Sequence, residues 1–299
     1  EGVSNTFGIG NLPEYGVPNI LTADGPAGIR INPVTGIRTT AWPCGTMLSS
    51  TWNPEIVTQV GEAAGRELKE NNLAIWLAPA LNIHRDPLCG RNFEYYSEDP
   101  LISGKMGAAA VRGCQSRRIS ASCKHFAANN KEFIRKECDS RVTERALREI
   151  YLKGFEICVT EGDPKTLMTS YNPVNNLWAA SNYELTVKLL REDFGFDGFV
   201  MSDWVSCYSP VNVARWGVDL EMPLPQCQKP ELIKQLVEQG VIDERALDQK
   251  CQNIIQTIFA FEFDKREQLD KSFPENNPEC DAVAHKISQG AIVMLKNEN

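Results

Sequence analysis

At 299 residues the chain is long enough for a full hydrophobic core, as one barrel of ~250 residues or as two smaller domains. Apolar residues make up 42% and charged residues 23%, a balance that excludes wholesale disorder. Lys plus Arg is 31 against 39 for Asp plus Glu, a formal net charge of −8 with no basic block, so nucleic acid is not an expected partner.

The chain opens at Glu1 on a Gly/Pro-rich stretch without the pattern of a signal peptide. The longest nearly apolar run, residues 73–81, falls far short of the ~20 residues a membrane span needs, so no membrane partner is expected. In chain order, candidate strands fall at residues 19–24, 73–81, 119–126, 166–172, 199–204 and 218–222. IWLAP and GFVMSDW are apolar on both faces, as strands of a buried parallel sheet should be.

Helices are expected between these strands. Asn53 is placed to cap the first, with Pro54 at its first position and Ile56, Val57, Val60, Ala64 and Leu68 on one face. Residues 141–160 put Leu147, Ile150, Tyr151 and Cys158 on a shared stripe. Ser181-Asn182-Tyr183-Glu184 reads as a capping box ahead of Leu185, Leu189 and Leu190. Asp243 starts the last long helix, with Leu247, Ile254, Ile255, Ile258 and Phe261 as its buried side.

Alternation of this kind predicts an α/β fold, a (β/α)8-type, TIM-like barrel that is complete or short of some strands. An open dinucleotide-binding sheet would carry a Gly-rich phosphate fingerprint after its first strand, and none is present. The barrel is expected over residues 1–262 and a charged, Pro-containing linker over 263–280. Residues 281–299 read as a fresh helix and the apolar run Ala291-Ile292-Val293-Met294-Leu295, the start of a second α/β-sandwich domain.

The ten cysteines include no C-x-x-C, and a chain this long does not need stapling, so reduced and mostly buried thiols are expected. No Asn-x-Ser/Thr acceptor occurs, and both features lean towards a reducing cytoplasm, with a cleaved leader left open. H-E-x-x-H, G-x-S-x-G and a phosphate loop are all missing, so neither metal nor cofactor is expected.

In a barrel the active site lies where strands run out at their C-terminal ends. Asp24 ends the first strand in TADGP, and Lys124 and His125 end the third in SCKHF. Met168, Tyr171 and Asn172 end the fourth, Asp203 and Trp204 the fifth, and Arg91 lies in the loop after the second. Carboxylates, cations and aromatic rings converging from separate strands suit a polyhydroxylated ligand, because charged groups bond hydroxyls and ring faces stack on sugar C–H bonds. Plainer roles are open for each residue. Asp24 before Gly-Pro also suits a turn, Arg91 can pair with Glu94, Glu98 or Asp99, and Trp204 can be core. Tyr95, Tyr96, His84 and Arg85 read as loop scaffolding, and His285 as a surface residue.

Six motifs in register, LTADGPAGIR, GRNFEYYSEDP, KHFAANNKE, TERALREIYLKGFE, MTSYNPVN and GFDGFVMSDW, resemble glycoside hydrolase family 3, the β-glucosidase-like group, over about residues 6–225. The resemblance implies a retaining, exo-acting β-glycosidase, most commonly a β-glucosidase, with Asp203 as nucleophile. By the same resemblance Asp24 holds the sugar's distal hydroxyls, Arg91, Lys124 and His125 bind it, and Met168, Tyr171 and Trp204 shape the first subsite. A nucleophilic carboxylate must be ionised, so Lys124, His125 and Arg91 are expected to hold the Asp203 pKa down. The implied substrate is a β-linked glucoside or oligosaccharide.

Most of the family supplies its general acid/base from a second domain, and the terminal QGAIVMLKNEN resembles the opening of that domain. The expected partner is therefore a second α/β domain or companion chain carrying the acid, and a homo-oligomer is compatible with the sequence. Asn129-Asn130 stands where a smaller branch carries a His-containing loop, and Glu221 in DLEMP reads as structural. The alternative is a catalytically incomplete, sugar-binding barrel.

Overall fold

The computed structural model describes residues 8–265 and 277–298. Strand β1 (Gly8–Leu12) turns back antiparallel onto β2 (Val17–Asp24), pairing Ile9 with Ile20. Helices α1 (Gly45–Ser50) and α2 (Pro54–Glu70) lead to β3 (Leu73–Leu77), and α3 (Pro100–Gln115) leads to β4 (Ser120–Phe126). A short α4 (Glu144–Ala146), a π-helical turn over Leu147–Tyr151 and α5 (Lys153–Gly162) precede β5 (Thr166–Thr169). The small hairpin β6 (Pro173–Val174) and β7 (Leu177–Trp178) and a π-helical stretch over Glu184–Asp193 precede β8 (Phe199–Met201). Helices α6 (Pro210–Trp216), α7 (Pro230–Glu238), α8 (Glu244–Ala260) and α9 (Pro278–Ala291) follow.

The main sheet runs β1-β2-β3-β4-β5-β8, parallel from β2 onward. It is an open, curled half-barrel, the form short of strands that the alternation allowed beside a complete ring. The strand expected at residues 218–222 is reduced to a single bridge between Leu220 and Met201. The reason lies in its acidic side chains. Asp219 Oδ2 accepts from the Val200 amide at 2.7 Å, and the Glu221 carboxylate folds onto the amides of Gln226, Cys227 and Gln228. The Asp219 side chain thus takes the Val200 amide, while the backbone keeps only the bonds from the Asp219 and Leu220 amides to the Val200 carbonyl and from the Ser202 amide to the Leu220 carbonyl.

Two apolar layers flank the sheet, as buried parallel strands require. Trp76, Ala121, Leu167 and Val200 point outward into the core beneath α2, α3 and α5. Ile75, Leu77, Met168, Phe199 and Met201 point inward, where Ile258, Phe261 and Phe263 meet them. Helix α8 and the residues after it therefore fill space that missing strands would have enclosed. Its buried side is more polar than the apolar pattern indicated. Lys250, Asn253 and Thr257 are buried beside Ile258, whereas Ile255 is exposed. Lys250 Nζ donates to the carbonyls of Gly217 and Val218 at 2.9 Å, tying α8 to the segment that fails to become a strand.

Local start signals hold at Asn53, whose Oδ1 accepts from Glu55 and Ile56, and at Asp243, which accepts from Arg245. At the expected capping box it is Asn182, not Ser181, that caps, accepting from Glu184 and Leu185. The π-helical turn shifts the face of the 141–160 segment, so Leu147 and Cys158 are buried but Ile150 is exposed. All ten cysteines are free thiols. Helix α9 packs on α2 through Cys280 and Ile287, and beyond it Ile292, Val293, Met294 and Leu295 are exposed without regular structure.

Helices α2 and α3 cross at glycines. A Cβ on Gly113 would lie 2.1 Å from the Thr58 carbonyl oxygen, and one on Gly61 would lie 2.3 Å from that of Ala110. Gly113→Ala must push the helices apart, and it should destabilise the fold by about 1–3 kcal/mol, read as a lower denaturant midpoint.

Candidate active site

Eight of the nine residues singled out at or just beyond the strand ends line one cavity of about 500 Å³: Asp24, Arg91, Lys124, His125, Met168, Tyr171, Asp203 and Trp204, whereas Asn172 lines a separate pocket and donates to the Ala127 and Pro173 carbonyls. The strands end earlier than the apolar pattern suggested, at Leu77, Thr169 and Met201, so Tyr171, Asp203 and Trp204 stand on the loops just beyond. Lys124 and His125 are neighbours in sequence, yet both line the cavity. The β4–β5 register breaks between Cys123 and Phe126, and the usual alternation of faces is lost there.

Charge is laid out in pairs. Lys124, 2% exposed, places its ammonium on Asp24 Oδ1, and Arg30 reaches Asp24 Oδ2 at 3.3 Å. Burial alone would raise the Asp24 pKa, but Lys124 and Arg30 outweigh it and hold the carboxyl below its ordinary 3.8. Arg91 bonds Glu94 Oε1 through Nε and points Nη2 at His125 Nε2, 2.8 Å away. Arginine only donates, so Nε2 accepts and the His125 proton is assigned to Nδ1, which faces the Tyr95 hydroxyl at 3.5 Å. Burial, with Arg91 and Lys124 close by, pushes the His125 pKa well below 6.5. His125 is a neutral imidazole here.

Asp203 is 6% exposed. Its Oδ1 accepts from the Trp204 amide at 2.7 Å, while Oδ2 accepts no well-aligned hydrogen bond and lies 3.7 Å from His125 Nε2. The expectation that cations hold its pKa down is reversed. Burial pushes Asp203 above 3.8, and the Trp204 amide, Arg91, Lys124 and the Tyr171 hydroxyl pull the other way without prevailing. His125, being neutral, contributes no charge to the contest.

Arg30, Leu77, Phe93, Glu94 and Arg135 complete the lining and were not anticipated as site residues. Arg30 closes the LTADGPAGIR motif, and a search for second cations near motif ends would have found it. Arg135, stacked 4.0 Å over the Tyr171 ring and bonded to Glu132 at 2.6 Å, had no comparable signal. Glu94 entered only as a partner for Arg91, and that pairing is present alongside Arg91's place in the cavity wall. Tyr95 is buried and hydrogen-bonded to the Asn129 carbonyl at 3.3 Å, and His84 ties the same loop to the carbonyls of Asn92 and Tyr95. Glu221 is bound up in its backbone cradle and does not line the cavity.

Fold and cavity together define a strand-end α/β site lined by carboxylates, cations and aromatic rings. Residues 12–257 match the model of the glycosyl hydrolase family 3 N terminal domain, and the chain belongs to that family. It is 53% identical over 249 residues to beta-glucosidase A of Butyrivibrio fibrisolvens, a match covering 83% of this chain and 29% of that protein. It is 38% identical to an exo-alpha-(1->6)-L-arabinopyranosidase of Bifidobacterium longum, over 95% of this chain and 38% of the other. Among solved structures, beta-glucosidase 3B of Thermotoga neapolitana in complex with alpha-D-glucose superposes with a TM-score of 0.90 at 40% identity. That match covers 97% of this chain and 42% of the other. The chain thus spans about a third of the length of the curated relatives it matches.

A raised folded-state pKa means that the ionised Asp203 opposes folding at neutral pH, and the penalty disappears below 3.8, where the side chain is protonated in both states. Asp203→Asn should therefore raise the thermal midpoint at pH 7, and that gain should vanish at pH 3.

Proposed function

We propose that this chain is the nucleophile-bearing part of a retaining, exo-acting β-glycosidase, most simply a β-glucosidase, completed by a general acid/base from a domain or chain outside this sequence. The observation that carries the reading is Asp203 itself, a buried carboxylate that lines the cavity with one oxygen uncommitted.

The other groups have matching tasks. Asp24, held ionised by Lys124, can only accept hydrogen bonds and so demands hydroxyl donors. A lysine ammonium has three donors, and one of those on Lys124 goes to Asp24, leaving two for sugar oxygens. The Tyr171 and Trp204 rings offer apolar faces for sugar C–H bonds. In the first step Asp203 attacks the anomeric carbon, and the leaving oxygen departs with a proton from the external acid. Water then attacks the same carbon, frees Asp203 and returns a proton to that acid.

A retaining pair needs a second carboxyl about 5–5.5 Å from the nucleophile, protonated at the outset. Asp24 and Glu94 are the other carboxyls lining the cavity, and each is tied to a cation. Neither is suited to donate a proton, which supports an acid supplied from elsewhere.

An activated 2-fluoro glucoside leaves with little acid assistance, so it should label this chain covalently at Asp203, located by peptide mass spectrometry. Sugar binding without labelling would instead support a catalytically incomplete barrel. In the complete protein Asp203→Asn should lower hydrolysis by well over about a thousandfold. Attack requires the ionised carboxylate, so the labelling rate should fall on the acid side through a pKa above 3.8.

A further inference from the structure

Asn172 and the Asn129-Asn130 pair meet at a second cavity, of about 200 Å³, which shares no lining residue with the first. Asn129 and Asn172 are 1% and 3% exposed. All three side-chain oxygens are buried and accept no hydrogen bond from the described residues. What the amide nitrogens do fixes which way these oxygens point. Asn130 Nδ2 donates to the Ile83 carbonyl at 2.5 Å, and Asn172 Nδ2 to the Pro173 and Ala127 carbonyls at 3.0 and 3.3 Å. Asn129 Nδ2 donates to the Glu132 carboxylate and the Tyr95 hydroxyl, both at 3.3 Å. Carbonyls and carboxylates only accept, so a flipped amide would set oxygen against oxygen. Three buried acceptors are thus left in one cavity, where an unmet oxygen is costly.

Charge around the cavity narrows the choice of occupant. Three exposed cations, Arg85, Lys131 and Arg141, line it together with two aspartates. Both carboxylates are engaged. Asp86 Oδ1 accepts from the Leu88 amide at 3.0 Å, and Asp139 pairs with Arg141 at 3.1 Å and accepts from the Asn176 amide at 3.0 Å. A metal ion would meet a surplus of positive charge, and an anion would meet three oxygens that repel it. A neutral polyol suits both sets of groups, because each hydroxyl donates to an amide oxygen and accepts from a cation. The volume is several times the share of one water in the liquid, about 30 Å³, and gives room for one sugar ring.

We propose that this second cavity is an accessory binding site for a neutral monosaccharide, held by the amide oxygens of Asn129, Asn130 and Asn172 with Arg85 and Lys131 as donors. The site is separate from the cavity of the glycosidase reading and needs none of its residues.

Hydrogen–deuterium exchange of the full-length protein, titrated with glucose and read by peptide mass spectrometry, tests the site. Glucose should protect residues 128–142, and Asn130→Ala and Lys131→Ala should each raise the concentration for half-protection there by about tenfold. Any protection at residues 199–204, beside the catalytic cavity, should shift by less than about twofold in either variant. Lys131 is exposed, so its replacement spares the fold, and Asn129 is left in place because it supports Tyr95 behind His125. No protection at 128–142, or protection there that either variant leaves unchanged, overturns the proposal. A parallel shift at 199–204 also overturns it, by placing the sugar in the catalytic cavity alone. Equal protection of 128–142 by potassium chloride without sugar does so too, by making the occupant a cation. Protection at 128–142 with none at 199–204 upholds the accessory site and counts against the glycosidase reading, so the two failures are told apart.

Discussion

Taking a carboxylate out of water costs several kcal/mol unless a cation or a set of amides replaces its hydration, and the polar architecture of this chain follows from that constraint. Asp24 is met by Lys124 and Arg30, and Glu94 by Arg91. Asp219 is met by Arg191 at 2.7 Å, and Glu221 by three backbone amides. Glu67 takes another route. It accepts from Thr40 while burial pushes its pKa up to about 7, so protonation relieves part of its cost near neutrality. Asp203 has neither a contacting cation nor a full cradle. Its charge is supported from a distance by Arg91 and Lys124, whose hydrogen bonds go to Glu94, His125 and Asp24.

That arrangement separates two aspartates in one cavity. The pair at Asp24 fixes an ionised hydrogen-bond acceptor, whereas Asp203 is left as a carboxylate with an oxygen to spare. Environments that push the pKa values of neighbouring acids apart are a common way of assigning them different tasks. The neutral His125 belongs to the same economy of charge. A third cation would lie against Arg91 and Lys124, so the ring accepts from Arg91 and hands its own proton towards Tyr95.

Much of the site was legible because its residues stand where apolar strands give way to polar residues, a pattern visible at TADGP, SCKHF and MSDW. The parallel α/β class was legible for the same reason, as were the caps at Asn53 and Asp243, whose chemistry is local. What escaped depended on distant partners. At residues 218–222 pairing with β8 shrinks to one bridge where the Asp219 carboxylate takes the Val200 amide, and apolar spacing carries no trace of that competition. The buried side of α8 was misread because Lys250 and Asn253 are buried through hydrogen bonds to other segments, at Gly217, Val218 and Asp219. The sign of the Asp203 shift was misjudged since a list of nearby cations omits the cost of burial.

The most direct check on the account is a 13C NMR titration of the Asp24 and Asp203 side-chain carboxyl carbons, assigned by their asparagine variants. The account predicts that Asp24 titrates below 3.8 and Asp203 above it. The reverse order, or an Asp203 midpoint below 3.8, would contradict the claim that burial leaves this carboxylate short of partners in the cavity.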